Sequence, residues 1–275
     1  MSLITIITVN YNNETGLEKT LKSVCTQSYN DFEYIVIDGG STDGSLEIIE
    51  RYKSFISYWV SEKDNGVYHA MNKGINRAKG DFILFLNSGD SLFSNDVLNK
   101  VSNFLSNNDG LVYGDALLEN PVTKMRKIKV HPEELPFSYF YNDTICHQAC
   151  FIKRALFDQH FYYNEAFQIK SDWEFLMYQI YIAKVAFRKI DQMICVYDTT
   201  GISSNLKYKQ IAKLEREEIL KKHFELFNMD YQKLNSYGSP RFGKLKRIEE
   251  SVFWRKLVSV LFDFILIWIP RKTEK

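Results

Sequence analysis

The chain has 275 residues, 45% hydrophobic and 25% charged, enough apolar material for one large domain with an appendage. A net charge of +1 gives no global field for nucleic acid, so no nucleic-acid partner is expected. The four cysteines, Cys25, Cys146, Cys150 and Cys195, have neither disulfide-framework nor zinc spacing and read as reduced thiols.

Leu3–Val9 is an apolar run too short for a signal-peptide core with its flanks, and it reads as a first buried strand. Asn10–Asn13 then caps a helix over about 14–25. Glu33–Ile37 is a second strand, closed by Asp38-Gly39-Gly40, and Ser41 and Thr42 open a helix to about 52. A short strand at 56–60 leads through Ser61–Gly66 into a helix over 67–78. Phe82–Leu86 is five consecutive apolar residues ending in Asn87-Ser88-Gly89-Asp90, the pattern of a strand buried on both faces. The first 90 residues therefore predict β-α-β-α-β-α-β and an α/β fold: a Rossmann-like, mostly parallel central sheet with helices on both faces.

The remainder is mixed. A strand is expected at 111–115, a hairpin around Glu119–Pro121, a short strand at 150–152 and a helix at 171–183. Short strands follow at 185–197, then a long charged helix over about 208–227. The expected organisation is one domain at 1–205, divided into a first half (1–115) and a mixed second half (116–205). A C-terminal helical region, 206–275, completes the chain.

In a parallel sheet the loops after the first four strands meet on one rim, where such sheets bind ligands. Here they carry Thr8, Val9 and Tyr11; Asp38; Asp64; and Asn87, Ser88 and Asp90. Tyr11 is suited to stacking on a base, Asp38 to hydrogen bonding with a base or ribose. Asp90 is suited to holding Mg²⁺ or Mn²⁺ against a diphosphate, because two negative charges beside carboxylates would otherwise cost several kcal/mol. Each element has a plainer reading: a strand-ending turn, a core ring, a helix cap. The glycines after the second strand do not form the dinucleotide fingerprint, which argues against a nicotinamide enzyme.

Taken together, T-V-x-Y-N, D-G-G-S-T-D-G-S, S-E-x-D-x-G-x-Y-x-A-M-N-K-G and A-x-G-D-x-I-x-F-L-N-S-x-D resemble the inverting glycosyltransferases of family 2. The likeness is close from Leu3 to Asp90 and looser through His147-Gln148, Ser171–Glu174 and Gly201–Ser203. It is most similar to the branch that builds bacterial O-antigen and capsule. The resemblance implies the GT-A fold and transfer from a UDP-sugar. It also implies that Tyr11 and Asp38 hold the base, and that Asp64, Asn72 and Lys73 line the diphosphate and donor sugar. Asn87 to Asp90 would stand for the D-x-D-type metal motif, with Asp90 its one remaining carboxylate. Asp172 would be the catalytic base. His147 would lie on the donor-phosphate or acceptor side. Glu174, two residues along the same helix, is the weaker candidate for base.

At 244–269 a basic stretch runs into about 13 apolar residues, short of the roughly 20 needed to span a bilayer. Arg247, Ser251, Arg255, Ser259 and Asp263 recur every four residues, so one amphipathic helix is expected. It would lie on the cytoplasmic face of the inner membrane, which suits a lipid-linked saccharide acceptor. The alternative is packing on the catalytic domain or in a homodimer. Two rival functions are a non-catalytic nucleotide-sugar-binding partner of an assembly complex and a sugar nucleotidyltransferase. The second would need a basic, glycine-rich loop after the first strand, which Asn10–Glu14 lacks.

Overall fold

The structure is a computed structural model that describes residues 4–201, 206–237 and 240–268. It divides into two compact units, one running to Ile219 and one from Leu220.

In the first unit the N-terminal third alternates as its hydrophobic pattern requires. The order is β1 (Ile4–Asn10), α1 (Glu14–Cys25), β2 (Phe32–Asp38), α2 (Ser45–Tyr52), β3 (Tyr58–Ser61), α3 (Val67–Arg77) and β4 (Phe82–Phe85). Every residue of β1 and β4 is buried. One face of these strands, including Ile4, Ile6, Tyr34, Val36, Phe82 and Leu84, joins one core cluster with Leu17, Leu21 and Val24 of α1 and Ile48 and Ile49 of α2. On α3, Gly74 comes so close to β1 that a Cβ there would sit 2.5 Å from Ile7 Cγ2. Helices thus cover both faces, as expected of strands with no polar alternation.

The chain continues through β5 (Ser91–Leu92), α4 (Val97–Ser102), β6 (Leu111–Glu119), β7 (Arg126–Lys129) and α5 (Phe137–Asn142). Then come β8 (Cys150–Lys153), α6 (Ala155–Gln159), α7 (Ser171–Met177) and β9 (Phe187–Asp198). Among the described residues one nine-stranded sheet forms, in the order β3-β2-β1-β4-β8-β6-β9-β5, with β7 paired to β6. β1 to β4 are parallel, β8 is antiparallel to both β4 and β6, and β9 runs parallel to β6.

Several elements differ from expectation. The short strands predicted near 185–197 are one 12-residue strand, because β9 pairs with β6 along its length across two register shifts opposite Tyr113–Ala116, where β9 carries the extra residues. The helix expected at 171–183 is α-helical only to Met177 and continues as a π-helical turn, Tyr178–Ile182. The long charged helix, α8 (Lys209–Tyr237), is interrupted at Phe224 by non-helical backbone.

In the second unit the single helix expected at 244–269 is two: α9 (Pro240–Glu249) and α10 (Val252–Leu266). The break falls where Ser251 is extended (φ −108°, ψ 116°) and serves as the N-terminal boundary of α10, so the stripe beginning at Arg247 does not continue along one helix. Among the described residues no helix is long and apolar enough to cross a membrane.

Candidate active site

The loops after β1, β2, β3 and β4 meet on one rim. The backbone of Gly39 lies under the Tyr11 ring and beside Asp64: a Cβ at 39 would be 3.3 Å from Tyr11 Cδ2 and 3.2 Å from Asp64 Oδ2. Tyr11 itself is 67% exposed, a ring held over a glycine with one face free.

Asp38 has another occupation. It is fully buried. Its Oδ1 accepts from Asn10 Nδ2 (2.8 Å) and Ser41 Oγ (2.6 Å), and its Oδ2 from Ser41 N–H (2.9 Å) and Ser61 Oγ (2.6 Å). A carboxylate has about four lone-pair positions, and all four are filled. Burial pushes Asp38 up, but these hydrogen bonds outweigh it and hold the carboxyl below its ordinary value. Asp38 therefore ties three rim loops together.

Thr8 is also interior. Its hydroxyl donates to Leu86 O (2.8 Å) and lies 3.0 Å from the Tyr34 hydroxyl. Val9 is buried and its carbonyl accepts from Ser88 N–H (3.0 Å). Neither side chain faces the rim opening, because β1 is buried on both faces.

Beside Asp64, Lys73 Nζ sits 2.5 Å from Asp64 Oδ1 and 2.8 Å from Glu62 Oε1. Burial lowers the Lys73 ammonium, but the two carboxylates overcome this and raise it. Its charge is thus already matched within the rim. Asn72, one position earlier on α3, spans to the loop at 163–165. It donates to Tyr163 O (2.8 Å) and Glu165 Oε1 (2.9 Å) and accepts from Tyr163 N–H (3.1 Å). It clamps that loop to α3.

The turn at 87–90 is fastened to α1. Gly89, at φ +105°, donates its N–H to Thr20 Oγ1 (3.0 Å), and its carbonyl accepts from Lys19 Nζ (2.9 Å). Ser88 Oγ donates to Asn13 O (3.2 Å). Asn87 Nδ2 lies 3.4 Å from His147 Nε2, and Asn87 Oδ1 is buried without a hydrogen-bond partner.

Asp90 is 4% exposed. Its Oδ2 accepts from Gln148 Nε2 (3.0 Å) and its Oδ1 from Asp198 N–H (2.8 Å). Burial, the largest influence, pushes its pKa up to about 6. Among the described residues no group of three His, Cys, Asp or Glu side chains could hold a metal ion. A carboxylate this deep, with a protein donor on each oxygen and no second carboxylate at 87 or 89, does not fit the role of metal anchor expected for Asp90. It acts instead as a bolt between the β4 turn, the segment before β8 and the end of β9.

Asp172 lies in the first turn of α7. Its Oδ2 lies 2.8 Å from His147 Nδ1 and its Oδ1 accepts from Tyr68 Oη (2.8 Å). Burial pushes Asp172 up, but His147 and Tyr68 prevail and hold it below the usual carboxylate value. Glu174, two positions on, is buried at 1% exposure. The structure thus brings Asp172, His147 and Asn87 together from α7, the turn before β8 and the end of β4.

The sequence reading passed over Tyr68, although the signal was available. Tyr68 and Asn72 are four apart, on one face of α3, inside the motif that singled out Asn72. Thr20, Lys19, Gln148 and Asp198 carried no local signal, since their partners lie 58 to 108 residues away.

The family described as glycosyl transferase family 2 matches residues 5–161. The chain belongs to glycosyltransferase family 2. A PGL/p-HBAD biosynthesis glycosyltransferase of Mycobacterium bovis is 31% identical over 208 residues, covering 74% of this chain and 79% of that protein. An uncharacterised glycosyltransferase of Mycobacterium tuberculosis is 32% identical over 214 residues, covering 74% and 77%. Staphylococcus aureus TarS with UDP-GlcNAc has a similar fold, with TM-score 0.59 and 20% identity over 79% of this chain and 66% of that one. The Pyrobaculum calidifontis mannosyltransferase PcManGT, solved with GDP-Man and Mn²⁺, gives 0.55 and 19%, covering 72% and 57%. This family 2 enzyme therefore spans about three fifths to two thirds of those two solved chains and shares their GT-A fold.

Proposed function

We propose that this glycosyltransferase moves a sugar from a UDP-sugar to a saccharide hydroxyl with inversion, in the synthesis of bacterial surface polysaccharide. The observation that carries this reading is one rim with two chemistries. An exposed ring over Gly39 lies at the β1–β2 end, and an ionised carboxylate with His147 and Tyr68 lies on the acceptor side. Tyr11 stacks on the base, and the backbone of the β4 turn faces the diphosphate. The acceptor hydroxyl attacks the anomeric carbon opposite the leaving diphosphate. Asp172 supplies the negative charge that draws off its proton.

A divalent metal, Mn²⁺ or Mg²⁺, has its support in the Mn²⁺ complex of PcManGT. The residues around Asp90 do not supply a fitting site, so no step here runs through a metal. Family membership sets aside the nucleotidyltransferase alternative.

The acceptor we propose is lipid-linked, with the enzyme on the cytoplasmic face of the inner membrane. α10 leaves Phe253, Trp254, Leu257, Val260, Leu261 and Phe264 at 54–70% exposure. Arg255, Lys256, Ser259 and Asp263 fall within about 100° of its circumference at 100° per residue, leaving a broad apolar face. Co-sedimentation with phosphatidylglycerol vesicles should be lost in Leu257→Glu/Leu261→Glu, and equal sedimentation would sink this placement.

Calorimetry with UDP and GDP, followed by UDP or GDP release from UDP-Glc, UDP-GlcNAc and GDP-Man, tests the donor. Saturable UDP binding and release of UDP from one sugar are expected. Failure to bind or turn over any of them overturns the proposal.

A further inference from the structure

The hairpin of β6 and β7 carries an apolar surface that the core does not use. Among the described residues β7 pairs with β6 alone, and no residue of β7 is buried. Val122, Met125, Ile128 and Val130 are 59–80% exposed. Single exposed apolar side chains are ordinary, but four within one short hairpin form a patch. The turn that presents them is firmly built. Asn120 Oδ1 accepts from the N–H groups of Val122 (3.0 Å) and Thr123 (2.9 Å), and Asn120 N–H donates to Met125 O (2.9 Å).

Positive charge is interleaved with this patch. Residues 120–130 include Lys124, Arg126, Lys127 and Lys129 and no acidic residue. Arg126 is paired with Glu119 and Lys129 with Asp143, each at 2.6 Å, whereas Lys124 and Lys127 have no ion pair among the described residues. Lysines on an edge strand commonly keep other strands away. That accounts for the cations but leaves the apolar side chains beside them without a use. A second copy pairing along β7 would set these cations against one another, and like charges facing across strands are destabilising. An anionic lipid surface takes both kinds of residue: apolar side chains enter the headgroup boundary, and lysines snorkel to the lipid phosphates. Ile128 and Lys127 point to opposite sides of β7, so the hairpin meets such a surface turn first.

We propose that the β6–β7 hairpin docks on an anionic lipid surface, with Val122 and Met125 at the headgroup boundary and Lys124 and Lys127 on lipid phosphates. This rests on the membrane placement proposed above, and adds a contact in the unit that carries the rim. Both legs of the hairpin are rooted at the candidate site. At the end of β6, Glu119 lies 3.6 Å from Lys19 Nζ, which also donates to the Gly89 carbonyl of the β4 turn (2.9 Å). Just past β7, His131 Nε2 accepts from Cys146 N–H (3.1 Å), next to His147. The four residues of β7, at about 3.3 Å each, set the rim roughly 13 Å behind the turn. That is within reach of a short saccharide held at the headgroups. A single weak contact gives only marginal membrane binding, so a second one beside the rim is what makes the attachment stable.

The test uses the full chain with vesicles of phosphatidylglycerol and phosphatidylcholine, and with vesicles of phosphatidylcholine alone. Lys124→Gln/Lys127→Gln should bind the anionic vesicles about 25-fold more weakly than wild type, about fivefold for each lysine, with no difference on phosphatidylcholine alone. Met125→Glu/Ile128→Glu should lose at least as much. Both variants should keep wild-type UDP affinity and shift Tm by less than about 2 °C, because the substituted side chains are exposed. An environment-sensitive dye on Met125→Cys should brighten and shift to the blue on anionic vesicles, with the wild-type chain treated alike as the blank. If both variants bind within about twofold of wild type, or the dye stays in water while the chain is bound, the hairpin is not the contact. Loss of binding in Leu257→Glu/Leu261→Glu alone would then leave the membrane placement standing and overturn only this inference. A wild-type chain that binds neither vesicle overturns both. A wild-type dimer in light scattering that Met125→Glu/Ile128→Glu dissolves would make the hairpin a protein interface, and would overturn the lipid assignment.

Discussion

Asp38→Ala isolates what the second strand contributes to the rim. The carboxylate accepts four hydrogen bonds, two from hydroxyls and two from N–H groups. The hydroxyls of Ser41 and Ser61 can rotate to other acceptors. The N–H of Ser41 and the amide of Asn10 cannot re-aim as freely, and both residues are buried. Each stranded donor costs about 1–3 kcal/mol, while removing a buried charge returns part of that, so a net loss of about 3 kcal/mol is expected. That is a large share of the roughly 5–15 kcal/mol that stabilises a domain, yet small enough to leave the variant folded. Urea unfolding should show a lower midpoint with an unchanged slope. The pH dependence gives a second reading. Asp38 is held below its unfolded value of about 3.9, so its stabilisation is present above that pH and fades as pH falls through the folded pKa. The difference between wild type and Asp38→Ala should therefore shrink in acid. A loss below about 1 kcal/mol at neutral pH, or a gap that does not narrow in acid, would refute the hub role.

Asp90→Asn should behave in the opposite sense. The folded pKa of about 6 lies above an unfolded value of about 3.9, so wild type loses stability from this group as pH rises from about 4 through 6. The Asn variant should gain on wild type by about 3 kcal/mol over that interval in thermal or urea unfolding, and a pH-independent difference would contradict the burial argument. Tyr11→Ala should change stability by less than about 0.5 kcal/mol, since the ring is exposed, yet weaken UDP binding by about 2- to 10-fold in calorimetry. Gly74→Ala should cost about 1–3 kcal/mol through its contact with Ile7, and a neutral result in urea would mean α3 can lift from β1.

Much of this architecture was legible from local chemistry. β1, α1, β2, α3 and β4 follow from apolar runs and caps, and their observed ends lie within two residues of those expected. The meeting of the rim loops follows from parallel strand order alone. The occupation of each carboxylate was not legible. Asp38 and Asp90 read as ligand groups because a polar residue after a buried strand has two uses, holding a ligand or holding its neighbours. The choice depends on donors at Ser41, Ser61, Gln148 and Asp198. Only the first of these lies close in sequence. The split of the C-terminal helix was similarly hidden, because the four-residue repeat runs unbroken across Ser251 while the backbone does not.

The Asp90 bolt also bears on how the chain reaches its native state. Asp90 closes onto Gln148 and onto Asp198, 58 and 108 residues further along. As the chain leaves the ribosome, β1 to β4 can assemble while that carboxylate still lacks both partners. The rim turn is then finished only when β9 arrives beside β6. Contacts this distant are slow to form, because a long loop must close before they return any stabilisation. A nascent chain halted before Gln148 would hold the parallel β1–β4 sheet with an open edge at β4 and a hydrated acid at its mouth. Competence at the rim is therefore a late event in folding, set by a strand that carries none of the family's signature motifs.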